Sequence, residues 1–279
     1  MPSTAEIAQF QEQGFVVVED LLTPEEIEQY GPRVDAGVAR RKSRDARSLA
    51  EKSLYEQSFQ QCMNLWEDCL DVRPLTFHPR LAETAARLLG VDRLRVWHDQ
   101  ALYKEPGGRH TDAHQDQPYW PMVETDTITA WIPFDGSTHE SGAMAYIPGS
   151  HRFGVRVFAN IFAGKGYDLE HGPEARGVAP VWIEVPRGAV AYHHGLTIHL
   201  AKPNSTDRRR RVHTIIYFRD GSTRATRGEH FSVDRAGIAP GAAIASEFTP
   251  LAWPRAAGDL PPTPPRPERS LGGALPRRA

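Results

Sequence analysis

His114-Gln115-Asp116 is the local pattern with the most chemistry in it. In an extended segment, residues two apart point to the same face, so an imidazole nitrogen and a carboxylate oxygen could reach one metal ion. A second histidine from a distant strand would complete a 2-His-1-carboxylate facial set, which leaves open positions on Fe(II). The triplet is short, and His110-Thr111-Asp112 repeats it four residues earlier. Either could also be an ordinary polar loop. Downstream, His193-His194-Gly195-Leu196-Thr197-Ile198-His199 leads to Pro203-Asn204 and the run Arg208 to Arg211. His194 and His199 are five apart, so strand alternation cannot aim both at one point. His199 ends a short apolar run before a turn, where a ligand would reach the mouth of a barrel. It could equally be a packed surface histidine. Four arginines in one turn without interleaved aromatics make a poor nucleic-acid surface.

Such a site needs a scaffold. The chain has 279 residues, with 33 Lys+Arg against 35 Asp+Glu, a net charge of −2 and a hydrophobic fraction of 40%. This composition fits a globular domain with a sizeable core. It argues against bulk binding to nucleic acid or anionic membrane. No apolar run approaches the ~18 residues of a membrane helix. The opening MPSTAEIAQFQEQG lacks the pattern of a signal peptide, so the expected location is cytoplasmic. Two cysteines, Cys62 and Cys69, exclude a disulfide scaffold or a cysteine-based zinc site.

Residues 1–93 read as a mostly helical support. Ser3 with Glu6 is a capping box, and Gly14 ends the helix it opens. Phe15 to Val18 reads as a buried strand, Thr23-Pro24-Glu25-Glu26 as a second helix start, and Pro79 to Leu89 as an amphipathic helix stopped by Gly90. From Leu94 the texture changes to short β-type runs at 94–103, 127–134, 143–147, 155–158, 180–185, 188–192, 196–200 and 212–218, punctuated by Gly and Pro. A sandwich, jelly roll or barrel is the expectation. One domain over 1–253 follows, with its β core at 94–220 and a possible lid at 219–247; the Pro- and Arg-rich 254–279 is expected to be a mobile tail.

The stretch from Gln100 to Phe218 resembles the phytanoyl-CoA dioxygenase family, which includes ectoine hydroxylases. The resemblance is carried by several pieces in order. These are Gln100-Ala101-Leu102-Tyr103-Lys104 with Pro106-Gly107, and His114-Gln115-Asp116 followed by Tyr119. Next come Trp131 with Asp135, then Glu140-Ser141-Gly142 leading into Ile147-Pro148-Gly149-Ser150-His151. Arg187-Gly188-Ala189, His194, His199, Pro203-Asn204 and Arg210 complete the series. The resemblance implies a mainly β fold with a helical N-terminal layer, a double-stranded β-helix (jelly roll, cupin-like). It implies an Fe(II)- and 2-oxoglutarate-dependent dioxygenase that couples decarboxylation of 2-oxoglutarate, with O2, to hydroxylation of a small-molecule substrate. The iron ligands would be His114, Asp116 and His199, with Arg210 on the far carboxylate of 2-oxoglutarate. Gln100 and Trp131 would line the co-substrate pocket, Lys104 is a weaker candidate there, and His194 would support a ligand rather than be one.

Ala201 departs from the family, which often has Ser or Thr two residues after the distal histidine. Retention of Asp116 implies hydroxylation or another oxidation rather than halogenation. Tyr119, Trp120, Pro121 and Met122 follow the metal motif and are expected to wall the substrate cavity. Arg219, Arg224, Arg227 and His230 in the lid suggest, from charge, a polar or anionic substrate. Two rival classes remain. Another cupin-like metalloenzyme, an isomerase or hydrolase, would use the same triad but leave the Arg210 spacing unexplained. A non-catalytic small-molecule binding protein on the same fold would not need an intact triad.

Overall fold

The first helix forms because Ser3 accepts from the Glu6 amide while the Glu6 carboxylate returns to the Ser3 amide, a complete capping box. In this computed structural model, which describes residues 1–42 and 45–265, that helix is α1 (Thr4–Gln13). It is followed by α2 (Pro24–Lys42), α3 (Leu54–Ser58), α4 (Leu65–Asp68), α5 (Arg73–Thr76), α6 (Pro79–Leu89) and α7 (Phe231–Asp234). The strands are β1 (Phe15–Val18), β2 (Gln60–Met63), β3 (Leu94–Lys104), β4 (Thr111–His114), β5 (Thr127–Pro133) and β6 (Met144–Tyr146). After these come β7 (Val181–Ile183), β8 (Val190–His194), β9 (His199–Ala201), β10 (Arg210–Arg219) and β11 (Leu251–Trp253).

The strands make two antiparallel sheets. The larger runs β1-β8-β5-β10-β3-β11 with β2 also on β3, and the smaller runs β4-β9-β6-β7. This is the jelly roll expected from the sequence. Alternation along β10 shows how it is filled. Ile215 and Tyr217 face outward into a core shared with α2, α6, Leu65 and Trp66, while Val212 faces Trp131, Tyr146 and Phe15 between the sheets. Leu81 and Leu88 of α6 are fully buried in the outer core; each contributes roughly 1.5–3 kcal/mol. The N-terminal helices are therefore the second layer that an antiparallel sheet needs on its apolar face.

β3 pairs with β10 without interruption except at one bulge, where Tyr217 faces Val96 and Ile216 faces His98, leaving Trp97 unpaired. The extra residue brings Trp97 and His98 together beside Trp120.

Three expectations are corrected. Residues 155–158 form no strand; Val155 and Val157 are exposed on a loop. The polar β4, which carries His114, was not among the expected strands. The tail expected to be mobile from 254 is docked through 264. Arg73 donates to Pro261 O and to Thr263 Oγ1 at 3.2 Å, and Pro261 and Pro264 are buried. Residues 266–279 of that tail lie outside the described residues.

Candidate metal centre and its surroundings

β4 and β9 are neighbours in the small sheet, and His114 is the direct cross-strand partner of His199. Directly paired residues share a face, and the two rings lie 4.2 Å apart. Asp116 reaches the same point differently from the alternation expected of HxD. β4 ends at His114, and Asp116 is helical at the start of a 3-10 turn over Gln117–Tyr119. Its Oδ1 lies 3.7 Å from Nε2 of both His114 and His199. One ligand atom from each of the three lies within 4.8 Å of the others.

The tautomers are set by the backbone. His114 Nδ1 donates to Asp112 O at 2.8 Å, and His199 Nδ1 donates to Thr197 O at 3.0 Å. That leaves each Nε2 lone pair aimed at the shared point. Burial, with the neighbouring histidine adding to it for His114, brings both imidazoles down to about 4, so they are neutral at pH 7. Burial alone would raise the Asp116 carboxyl, but His199, His193 and His114 outweigh it and hold the group well below the usual carboxylate range. Asp116 Oδ2 is occupied: Thr129 donates to it at 3.2 Å and His193 Nε2 lies 3.3 Å away, with His193 Nδ1 3.2 Å from the Tyr146 hydroxyl.

The supporting histidine is thus His193, and the expectation for His194 is corrected. Ala191 and His193 point between the sheets, so alternation turns His194 outward. There its Nδ1 accepts from the Leu196 amide, and its ring sits near Phe10 and His151. His110 of the other HxD is exposed and turns to Asp112, 3.1 Å away; that motif contributes only the Asp112 carbonyl. Gly14 holds the far side in place. Its φ is +83°, and a Cβ would lie 2.5 Å from Thr197 Oγ1, which donates to Gly14 O at 2.7 Å. Thr197 in turn orients His199.

Arg210 begins β10 on the inward face, buried, with its guanidinium 5.3 Å from the Trp131 ring. Nη1 donates to Gly142 O at 2.6 Å and Nε has no partner. Among the described residues no carboxylate pairs with it, and burial pulls its pKa down to about 10. Gly142 has φ +101°, and a Cβ there would stand 3.4 Å from Nη1. Arg211 points the other way, to Asp35 and Asp135, Arg209 reaches Glu105, and Arg208 is exposed. Lys104 is fully buried, but its amine is spent on Lys202 O (2.7 Å), Arg109 O (3.0 Å) and Thr111 Oγ1 (3.5 Å). Ala201 packs between the sheets with Met144 and Val212. Gln100 faces inward and accepts from Gln61, which accepts from Tyr55 at 2.9 Å.

Tyr119 stands edge-on to His114 at 6.1 Å. Trp120 and Met122 instead pack with Trp97, Ile216 and Val233 under the 219–247 segment. The charge expected of that segment is largely consumed within the chain. Arg219 pairs with Asp126, Arg224 with Asp234 and Arg235 with Glu67; His230 caps α7 through Ser232, and Arg227 is exposed. The sequence reading missed Thr129, His193, Tyr55 and Gln61. Alternation from the apolar Val190 and Tyr192 could have found His193; the others needed the tertiary fold.

A profile of the family described as Phytanoyl-CoA dioxygenase (PhyH) matches residues 10–212. Among curated proteins, the chain is 28% identical over 158 residues to the probable alpha-ketoglutarate-dependent hypophosphite dioxygenase of Stutzerimonas stutzeri, spanning 55% of this chain and 54% of that protein. The chain thus spans about half the length of that relative. It is 25% identical over 259 residues to the phytanoyl-CoA dioxygenase domain-containing protein 1 of Bos taurus, covering 76% of this chain and 89% of that one. Among solved structures it resembles the non-heme alpha ketoglutarate dependent carbocyclase SnoK from nogalamycin biosynthesis, with TM-score 0.76, 26% identity and coverage of 90% and 96%. It also resembles EctD from S. alaskensis, solved with 2-oxoglutarate and 5-hydroxyectoine, with TM-score 0.64, 20% identity and coverage of 78% and 76%.

Proposed function

This chain belongs to the phytanoyl-CoA dioxygenase family, and on that premise we propose that it is an Fe(II)- and 2-oxoglutarate-dependent oxygenase acting on a small molecule. The observation that carries the reading is a pair of preformed sites in one barrel. The first is two neutral Nε2 atoms and one carboxylate oxygen converging on one point. The second is a buried guanidinium that no carboxylate among the described residues pairs with.

The donor set fits iron: two imidazoles and a carboxylate on one face, with the remaining directions free. His114, Asp116 and His199 would hold it. Arg210 fits the far carboxylate of 2-oxoglutarate, since an unpaired buried charge is costly until a counter-charge arrives. When bound, iron and 2-oxoglutarate supply the oxidising chemistry. Together they would place one oxygen atom of O2 in succinate, with release of CO2, and make the other available for insertion into a substrate C–H bond. The chain's own residues orient and exclude. Thr129 and His193 engage Oδ2 of Asp116, which leaves Oδ1 as the oxygen that would hold iron. Trp131 and the buried Arg210 close the far end against water. Gln100, on the inner face, lines the co-substrate side.

Relatives that include a carbocyclase make another oxidation of the same class an alternative to hydroxylation. An isomerase or hydrolase would leave Arg210 without a counter-ion. No helix among the described residues is long and apolar enough to cross a membrane, and Cys62 and Cys69 are free and buried, in keeping with the cytoplasm. The test is anaerobic addition of Fe(II) and 2-oxoglutarate. The reading requires a visible metal-to-ligand charge-transfer band, followed by succinate on admission of O2. No band would refute it.

A further inference from the structure

Two basic side chains meet inside the barrel with no acid between them. Lys104 ends β3 directly opposite Arg210 of β10, so the two side chains share a face. Both rest on Gly142: a Cβ there would stand 3.2 Å from Lys104 Cδ, 3.4 Å from Arg210 Nη1 and 3.0 Å from Lys202 O. Both residues are buried, and among the described residues no carboxylate pairs with either. Like charges directly opposed across two strands are destabilising, and burial makes them more so.

The charged groups packed around Lys104 bring no relief. Arg109 lends its carbonyl, while its guanidinium turns to Asp112 at 3.2 Å. Asp112 is shared with His110. Lys202 lends its carbonyl, and its own amine lies over the Trp182 ring at 4.9 Å. Glu105, next in the chain, pairs with Arg209 at 2.8 Å. Glu140 and Asp207, on the neighbouring turns, are exposed.

The bonds of the amine suit an uncharged group. It donates to Lys202 O at 2.7 Å and to Arg109 O at 3.0 Å, which uses both hydrogens of a neutral amine. Its third neighbour, Thr111 Oγ1 at 3.5 Å, is a hydroxyl that can donate to the remaining lone pair. Burial, then Arg210 and Arg109, pushes Lys104 well below the usual lysine range.

We infer that Lys104 is unprotonated while the Arg210 pocket is empty and takes up one proton from solvent when a dicarboxylate fills it. This rests on Arg210 being the group that receives the far carboxylate of 2-oxoglutarate, and it adds a proton to that equilibrium. The carboxylate is the missing counter-charge for both side chains. With three hydrogens the ammonium donates to the same two carbonyls and to Thr111 Oγ1, so protonation leaves none of its hydrogens unmatched. Lys104 is thereby a positioning residue that ties co-substrate affinity to pH. Binding that consumes a proton weakens as pH rises, by about tenfold per unit for one proton.

The test is calorimetry on the full chain loaded with Mn(II), a metal that replaces iron without turnover. 2-Oxoglutarate is compared with 2-oxopentanoate, which keeps the metal-binding end and lacks the far carboxylate. Each titration is repeated in buffers of different ionisation enthalpy, from about pH 7 to 8.5. Over that range Arg210, brought down only to about 10, stays charged, and His114 and His199, at about 4, are already neutral. The expected result is uptake approaching one proton per 2-oxoglutarate and none with 2-oxopentanoate. Affinity for 2-oxoglutarate should fall about tenfold per pH unit, while that for 2-oxopentanoate stays level. Lys104→Met should bind 2-oxoglutarate without proton uptake and with a level pH profile, a change that loosened packing would not produce. The comparison of the two acids on the wild type decides the matter even if that variant does not fold. A preference for 2-oxoglutarate with no proton taken up overturns the inference alone, as does equal uptake with both acids or undiminished uptake in K104M. Equal affinity for the two acids instead sinks the Arg210 reading on which it rests.

Discussion

Replacing Arg210 with Met should make the ligand-free protein more stable and make it indifferent to 2-oxoglutarate. Among the described residues the buried guanidinium has one hydrogen bond, to Gly142 O, an unpartnered Nε and no carboxylate. Burying an uncompensated charge costs several kcal/mol even after relaxation. Met fills much of the same volume without charge, and the orphaned Gly142 carbonyl returns about 1–3 kcal/mol of that gain. A net stabilisation of about 1–3 kcal/mol remains, or a rise in Tm of roughly 2–4 °C for each kcal/mol. On the ligand side, two hydrogen bonds to a charged carboxylate at about 1.5–3 kcal/mol each are lost. That is a fall in affinity of about 100-fold or more. At a 2-oxoglutarate concentration of ~100 times the wild-type Kd, binding stabilises the wild type by about 2.7 kcal/mol, and a 100-fold weaker variant by about 0.4 kcal/mol. Thermal melts with and without 2-oxoglutarate, with Mn(II) in place of iron, read both effects. If R210M melted below the wild type without ligand and still shifted upward with 2-oxoglutarate, Arg210 would be a structural cation and the co-substrate assignment would be wrong.

Three more outcomes follow from the geometry. His114→Ala should abolish stoichiometric Fe(II) binding while His110→Ala leaves it unchanged, because His110 is exposed and turned to Asp112; equal losses in a metal-content assay would contradict the choice between the two motifs. Thr129→Val keeps the side-chain shape but removes the donor to Asp116 Oδ2, and should lower metal affinity about 10–100-fold in competition with a chromogenic chelator; unchanged affinity would show that the carboxylate needs no such anchor. His194 is held neutral by burial, with His151 and His193 adding to the effect, and its pKa falls to about 3. Its unfolded form takes up a proton below about 6.5 while the folded form does not, so stability is lost as pH falls from about 6.5 towards 3. His194→Asn can keep an acceptor for the Leu196 amide, and should flatten urea midpoints between pH 6.5 and 5 by up to about 1.4 kcal/mol per pH unit. An unchanged slope would place the acid sensitivity elsewhere.

What could be read in advance divides along a physical line. Caps and stops are local: Ser3 with Glu6, Thr23-Pro24 and Gly90 each fix a helix end through atoms within a few residues, and all three stand where the sequence puts them. The strands with apolar runs were visible for the same reason. β4 was not, because its Thr111-Asp112-Ala113-His114 has no apolar period, and it is held as a strand by pairing with β9 across 85 residues of sequence. The resemblance brought His114, Asp116 and His199 together, but it pointed to His194 as their support where the fold uses His193, its chain neighbour facing the opposite way. That choice depends on which face of β8 meets the second sheet, and a one-residue error exchanges the two faces entirely. The rings beside Tyr119 are harder still. They come from α3, the loop after β6 and the turn after β4, three segments with no sequence relation to one another. Strand register brings His114 and His199 together, whereas the irregular segments beside them are placed by packing that no local pattern announces.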